Sequence, residues 1–343
     1  MIGVISLCGV TVAQAPAGAP AIFPGAPATS PAPTGDVLNA GPFIHVVTNL
    51  DRTLAFYEDP LGVKAKATTP AAASNAAVAK MYNAPGARVR SAILTIPHTD
   101  LSLEFVELQG AKLKSPVAAR VWDTGAANIL LRIREIEIAA ASVLAHGGSI
   151  VNPTGQPVVA AGIGGAVSTQ FLIVRDPDGY FVELIDQYAE KATPENGGNV
   201  VTVLFRFIAD DAGKTASFFQ QAFGFDVTAP GTLAKDPVLG AMTGLGSATS
   251  RFTRSVVPGS KVVFQIGEIK TPDSRRLDQT LPRVGASMFR LEVRDLDGTL
   301  ARAKAAGAVL APGNEQPTTV APGRRMVLIT EPDGLLLQLA ESR

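Results

Sequence analysis

The sequence is poor in the residues that soft-metal and redox chemistry draw on. It holds one cysteine, Cys8, and three histidines, His45, His98 and His146. A single thiol excludes an intrachain disulfide framework and a cysteine metal cluster. A two-histidine site would consume most of the imidazole supply. An excess of one charge is also missing: 30 Lys plus Arg stand against 30 Asp plus Glu, so no field gathers nucleic acid or an acidic membrane surface. Beyond the N-terminal region no apolar run approaches the ~20 residues of a bilayer span, and no Ser/His/Asp or Cys/His nucleophile arrangement is evident. What is present is a globular composition, 46% hydrophobic and 17% charged, long enough at roughly 150 residues per domain for about two domains.

The apolar stretch from Ile2 to Val12, followed by Ala13-Gln14-Ala15, has the small-x-small form of a secretory cleavage site, so residues 1–15 read as a signal peptide. The first Lys or Arg is Arg52, so the basic start of such a peptide is missing, and an apolar tail is the alternative. Leu7 stands before Cys8 where a lipid-attachment signal wants a small residue, which argues against lipidation. Residues 16–40 carry Pro16, Pro20, Pro24, Pro27, Pro31 and Pro33 among small residues, the composition of an extended linker. The expectation is an extracytoplasmic protein, periplasmic or secreted, with no membrane span.

Internal repetition is the most informative feature. Asp176-Pro177-Asp178-Gly179 recurs as Glu331-Pro332-Asp333-Gly334, each between two apolar runs, which predicts a turn joining antiparallel strands. Phe56 to Val63 resembles Phe218 to Phe225, each after a strand-like run and an amphipathic stretch: Phe43–Val47 with Leu50–Tyr57, then Val201–Ile208 with Ala212–Phe223. Gly62 and Gly224 stand where helix-ending glycines would. A further strand and helix appear as Asn128–Ile133 with Ile136–Ala145, and again as Met288–Val293 with Leu296–Ala306, closed by Gly147 and Gly307. The pattern of strand, helix and several strands thus occurs four times, over about 41–112, 117–190, 198–272 and 284–343.

With Asn49-Leu50-Asp51-Arg52-Thr53-Leu54-Ala55-Phe56-Tyr57 leading into Pro60-Leu61-Gly62, the strand-helix pairs near Asn128 and Met288, and the two proline-turn hairpins, residues 41–343 resemble the vicinal oxygen chelate superfamily, which comprises glyoxalases, bleomycin-resistance proteins and dioxygenases. The resemblance implies an α+β fold of four tandem βαβββ modules. They are expected as two domains, 41–190 and 198–343, each a half-open barrel of mixed sheet around a small-molecule pocket, with Pro194-Glu195-Asn196-Gly197-Gly198 between them. It also implies a divalent metal held by one residue from the first strand and one from the last strand of each paired module. Those positions are Pro42, Asn128, Glu104 and Glu183 in the first domain, and Leu204, Met288, Gln265 and Gln338 in the second.

Glu104 and Glu183 are carboxylates flanked by apolar residues inside strands, where an unpaired charge is costly. They are the candidate metal ligands, unless the strand face is reversed and they point to solvent. His45 joins them only if its strand bulges, since a residue three positions past Pro42 otherwise faces the opposite side; the alternative is a hydrogen-bonded histidine beneath the helix. Pro42 offers no donor and Asn128 only an amide oxygen, so one divalent metal is the most the first domain would hold, and none is expected in the second. His98, in a hairpin turn, and His146, at a helix end, read as structural. Asn128, Arg132, Arg206 and Arg290 are candidate substrate-binding residues, the last two being guanidiniums aimed at a pocket that could hold a carboxylate or phosphate, or could instead be neutralised by neighbours such as Glu292. Gly162-Ile163-Gly164-Gly165 reads as a loop over the pocket, and residues 226–260 as a long crossing loop covering the second cavity.

The resulting expectation is a protein that binds a small organic molecule, as a metal-assisted lyase or isomerase or else as a metal-free sequestering protein. An extradiol dioxygenase, which within this family uses two histidines and a glutamate around iron, is disfavoured. No nucleic-acid partner is expected, and a homodimer is compatible with the sequence.

Overall fold

The computed structural model describes residues 35–63, 65–69, 75–96, 99–116, 118–161 and 168–342. The signal-peptide reading, most of the linker, His98 and the Gly162–Gly165 loop lie outside them. The four modules follow in order. The first comprises β1 (Val37–Val47), α1 (Leu50–Leu61), β2 (Ala65–Thr68), α2 (Ala76–Met81), β3 (Arg88–Thr95) and β4 (Ser102–Gln109). The second comprises β5 (Ala127–Ile133), α3 (Ile136–Ala145), β6 (Ser149–Ile150), β7 (Val158–Ala160), β8 (Thr169–Arg175) and β9 (Phe181–Asp186). The third comprises β10 (Val200–Ala209), α4 (Ala212–Phe223), β11 (Ala234–Lys235), α5 (Pro237–Thr243), β12 (Thr249–Val256) and β13 (Val263–Lys270). The fourth comprises β14 (Ser287–Val293), α6 (Leu296–Ala305), β15 (Val309–Leu310), β16 (Thr318–Ala321), β17 (Arg324–Thr330) and β18 (Leu336–Glu341).

Local chemistry sets the helix ends. The Asn49, Asp211 and Asp295 side chains accept from backbone N–H groups in the first turns of α1, α4 and α6. Gly62 and Gly224 end α1 and α4 at φ 65° and 70°, the left-handed conformation that a Cβ disfavours. The two Pro-Asp-Gly turns close with Gly179 N–H donating to the Asp176 carbonyl and Gly334 N–H to that of Glu331. The linker ends earlier than its composition suggests: Val37 and Ala40 are buried in β1, where Val37 pairs with Val293.

The described strands form two sheets, and these do not follow the sequence halves. One runs β15-β17-β18-β14-β1-β4-β3-β2, with β16 beside β17; the other runs β11-β12-β13-β10-β5-β9-β8-β6, with β7 beside β8. The first module therefore shares its sheet with the fourth, through antiparallel β1 and β14, and the second with the third, through β5 and β10. This corrects the expectation that 41–190 and 198–343 each close a barrel of their own. Each module's strand-helix-strand order is fixed locally, but the partner of its first strand is not, because all four first strands are apolar runs with comparable edges.

The sheets pack back to back. Phe43 of β1 meets Phe205 of β10 at 4.2 Å between ring centroids, and Phe205 lies 5.5 Å from Phe289 of β14. Helices α1 and α4 contribute Phe56, Tyr57, Phe218 and Phe219 to the same core. Each sheet's other face holds its own smaller cluster, around Ile44 and Met288 in one and Leu130 and Phe181 in the other. Those two faces carry the charged centres.

Candidate functional site

In the second sheet, antiparallel pairing sets Asn128 of β5 opposite Arg206 of β10, while parallel pairing sets Arg206 beside Gln265 of β13 and Leu130 beside Glu183 of β9. The four polar side chains converge. Arg206 Nη1 donates to Glu183 Oε2 at 2.7 Å and Nε to Gln265 Oε1 at 2.6 Å, while Asn128 Nδ2 lies 3.4 Å from the same Glu183 oxygen. All four residues are buried. Burial pushes the Glu183 carboxyl up, and the Arg206 guanidinium pulls it back. The Arg206 guanidinium carbon also sits 4.8 Å from the centroid of Phe252, a cation–π contact.

The first sheet repeats the arrangement. Arg290 of β14 donates from Nη2 to Glu104 Oε2 of β4 at 2.7 Å, and from Nε to Gln338 Oε1 of β18. Here β1 bulges: Ala40 pairs with Leu291 and Phe43 with Phe289, leaving Gly41 and Pro42 together opposite Arg290. A Cβ on Gly41 would lie 2.7 Å from Arg290 Cγ, so glycine makes room for the arginine.

The two centres differ in what covers them. Met81 and Tyr82, at the end of α2, fill the space beside Glu104 and Gln338, with Gln338 Nε2 3.7 Å from Met81 Sδ. Burial, with Glu104 nearby, holds the Tyr82 phenol well above its ordinary range. Over the second centre a cavity of about 30 Å³ remains, with Asn128, Glu183, Arg206 and Asp236 as its polar wall and Phe171, Leu239, Met242 and Phe252 among its apolar ones. It has room for about one water molecule. The segment 226–260, expected as one long loop over the cavity of a 198–343 domain, instead contributes Asp236, Val238, Leu239, Met242 and Phe252 to this cavity, and it carries β11, α5 and β12. Asp236 caps α5 through the Leu239 N–H and accepts from Ser250 Oγ at 3.0 Å.

These centres occupy the first- and last-strand positions that the family resemblance assigns to a metal, and their donors do not fit one. With modules paired as observed, the assigned positions are Pro42, Glu104, Met288 and Gln338 in one set and Asn128, Glu183, Leu204 and Gln265 in the other, with Arg290 and Arg206 two residues past Met288 and Leu204. Each set offers one carboxylate, already ion-paired to a guanidinium. Glu104 and Glu183 lie in different sheets, each against its own arginine, so they do not form the shared ligand pair expected of them. Among the described residues no three His, Cys, Asp or Glu are grouped to hold a metal ion.

His45 faces away from both centres. β1 does bulge, but before His45, and alternation turns its ring into the core between the sheets. There Nδ1 is 3.2 Å from Ser287 Oγ, Nε2 is 3.8 Å from Asp176 Oδ2, and the ring lies 4.5 Å from that of Tyr180. His146 bonds through Nδ1 to the Ser142 carbonyl at 2.8 Å, at the end of α3. Arg132 shares the Asn128 face of β5 but does not line the cavity; burial lowers its pKa against the influence of Tyr188. Gln265 and Gln338 are the functional positions whose role sequence reasoning missed. The signal was present, since each stands where its sister module has Glu183 or Glu104 and each has an arginine two positions past its aligned first-strand residue.

The core around His45 carries a pH dependence. Burial lowers the imidazole from 6.5 to about 4, while burial and the neighbouring Asp178 raise Asp176 from 3.8 to about 7. Burial raises its counterpart Glu331 from 4.5 to about 8. The two carboxyls hold protons in the folded state that the unfolded chain releases, so their contribution to stability is lost as pH rises; the histidine acts oppositely and only below 6.5. The melting temperature is expected to fall between about pH 5 and about pH 8. Glu331→Gln should flatten that slope, and an equally steep fall in the variant would refute the assignment.

A family model for the Glyoxalase/Bleomycin resistance protein/Dioxygenase superfamily matches residues 41–184 and 201–339. Glyoxalase I from Zea mays superposes with a TM-score of 0.55 at 18% identity, covering 89% of this chain and 92% of that one. A point variant of that enzyme gives 0.56 at 17% identity, with the same coverage. A proposed dioxygenase from Bacillus subtilis gives 0.53 at 12% identity, covering 90% and 86%. At such identities the likeness shows the fold. A search of curated proteins finds no match. The two matched segments span most of the sequence, and the chain belongs to the Glyoxalase/Bleomycin resistance protein/Dioxygenase superfamily.

Proposed function

We propose that the chain binds a small, largely apolar organic molecule at the Arg206 centre without a metal, as a binding or sequestering protein. The observation that carries this reading is the cavity beneath α5. Its walls are mainly apolar, and at its floor Arg206 uses Nη1 and Nε within the protein while Nη2 has no hydrogen-bond partner among the described residues. A rigid guanidinium with one donor edge left over suits a ligand oxygen. Glu183 and Asp236 line the same cavity, so a neutral carbonyl or amide is favoured over a carboxylate. At about 30 Å³ the cavity admits such a ligand only if α5 lifts, which makes this seven-residue helix the gate. The apolar stretch before Ala13-Gln14-Ala15 supports an exported protein that acts outside the cytoplasm.

Trp122, the single tryptophan, packs against the hydrophobic cluster that contains Val121 and Met242 of the cavity wall, so its fluorescence reports on ligand entry. Titration with neutral aryl carbonyl compounds, benzamide and acetophenone first, should give a saturable change, with benzoate weaker. Arg206→Lys keeps the charge but loses the fork, and is expected to weaken binding about tenfold. A panel in which no compound gives a saturable, Arg206-dependent signal would refute the proposal.

A further inference from the structure

We infer that Arg206 and Arg290 are resident cations, filling in both barrels the place of the family's divalent metal, and that each place can be reoccupied by a free cation once its arginine is removed. This assignment is independent of the proposed ligand. It rests on the same trio appearing twice. Arg206 spans Glu183 and Gln265, and Arg290 spans Glu104 and Gln338. In each trio the carboxylate comes from the first or second module, and the arginine and glutamine from the third or fourth. One module therefore supplies the anion and its sheet partner the cation. A charge pair accidental to one strand would not recur with the same three residue types in a second sheet. The first centre adds its own mark, since β1 gives up regular pairing at Gly41 and Pro42 where Arg290 passes and Gly41 leaves no space for a Cβ.

Burial makes the cation obligatory. Glu183 and Arg206 have side chains 6% and 8% exposed, and Glu104 and Arg290 12% and 11%. A carboxylate so enclosed is strongly destabilising when its partner is removed, because the remaining charge is left uncompensated. A guanidinium meets the need with fixed geometry: two N–H edges satisfy the carboxylate and the amide, and unlike a metal ion it cannot dissociate. Without it, Glu183, Gln265 and Asn128 present one carboxylate and two amide groups around a cation-sized void. Hard cations accept that oxygen set, with modest affinity.

The test uses the full chain, with methylguanidinium and Mn²⁺ as probes. Arg206→Ala should melt roughly 5–10 °C below the native protein. Millimolar methylguanidinium or Mn²⁺ should recover several degrees in this variant and none in the native protein. Should Arg206→Ala fail to fold, Arg206→Ala with Glu183→Gln removes both charges; it should fold and show no response to either cation. Arg290→Ala, with and without Glu104→Gln, should behave in parallel. Saturable Mn²⁺ uptake by the native protein, seen by electron paramagnetic resonance and lost in Glu183→Gln or Glu104→Gln, would overturn the inference. So would an Arg206→Ala protein as stable as the native one, or one whose loss neither cation nor Glu183→Gln relieves. Failure of every aryl carbonyl probe leaves these outcomes unchanged, so the two readings fail separately.

Discussion

Severed between Lys191 and Val200, the chain is expected to lose both sheets, and neither half should fold as a monomer. A 41–190 fragment keeps β5 and all of β1 except its first four residues, but loses β14 and β10, their antiparallel neighbours. Both orphaned strands run through the middle of their sheets and are buried along almost their whole length. The fragment would expose two apolar strand edges together with the aromatic surface that Phe205 and Phe289 cover, which is incompatible with a soluble monomer. Because the third and fourth modules repeat the first and second, two copies of one fragment could pair crosswise in the places of the missing modules. The expected results are aggregation or a dimer for each fragment alone, and a one-to-one complex with native-like circular dichroism when the two are mixed. A monomeric 41–190 fragment with cooperative unfolding would contradict the crosswise architecture.

This architecture marks the boundary of what the sequence makes legible. Helix ends and turns are written locally, because Asn49, Asp211, Gly62, Gly224 and the Pro-Asp-Gly turns act within a few residues. The strand-helix repeats are therefore readable, and with them the family. Which first strands pair is decided by packing between segments distant in sequence, as with Val37 against Val293 and Ile133 against Val200. Phe43 settles against Phe205 and Phe289 only in the assembled core. The site inherits that limit. Glu104, Glu183, Arg206 and Arg290 are recognisable as charges on strands, yet assigning each carboxylate to its guanidinium requires the module pairing. Joining modules in sequence order places the two glutamates in one pocket and the two arginines in another; joining them as observed gives each pocket one of each. His45 shows the complementary case, in which strand alternation alone already points away from the pocket.

Asp178→Ala is expected to lose about 2–3 kcal/mol of stability. Asp178 lies in the turn between β8 and β9, in the second sheet, but its partners belong to the first module. Its Oδ1 accepts from Thr48 N–H at 3.0 Å, Thr48 Oγ1 at 2.6 Å and Arg52 Nη2 at 3.0 Å, and its Oδ2 from Thr53 Oγ1 at 3.0 Å. Its side chain is 1% exposed. The contact caps the start of α1 with a negative charge, where the helix dipole favours one, and ties adjacent modules that share no sheet. Alanine would take the acceptor from the Thr48 N–H and hydroxyl, which sit on an exposed residue, and from the buried Thr53 hydroxyl, which keeps the Asn49 carbonyl at 3.0 Å as its other acceptor. Arg52, 46% exposed, would turn to solvent, so its ion pair contributes little to the loss. The repeat supplies an internal control. Asp333 accepts from Asp210 N–H at 3.1 Å, Thr215 Oγ1 at 2.8 Å and Arg276 Nη2 at 3.0 Å, with a side chain 11% exposed. With fewer donors and more water access, Asp333→Ala should cost roughly half as much. Asp178→Asn keeps one acceptor oxygen and should fall between the two alanine variants and the native protein. Equilibrium urea unfolding measures all three, and an Asp178→Ala variant within about 1 kcal/mol of the native protein would show that this turn does not fasten the modules.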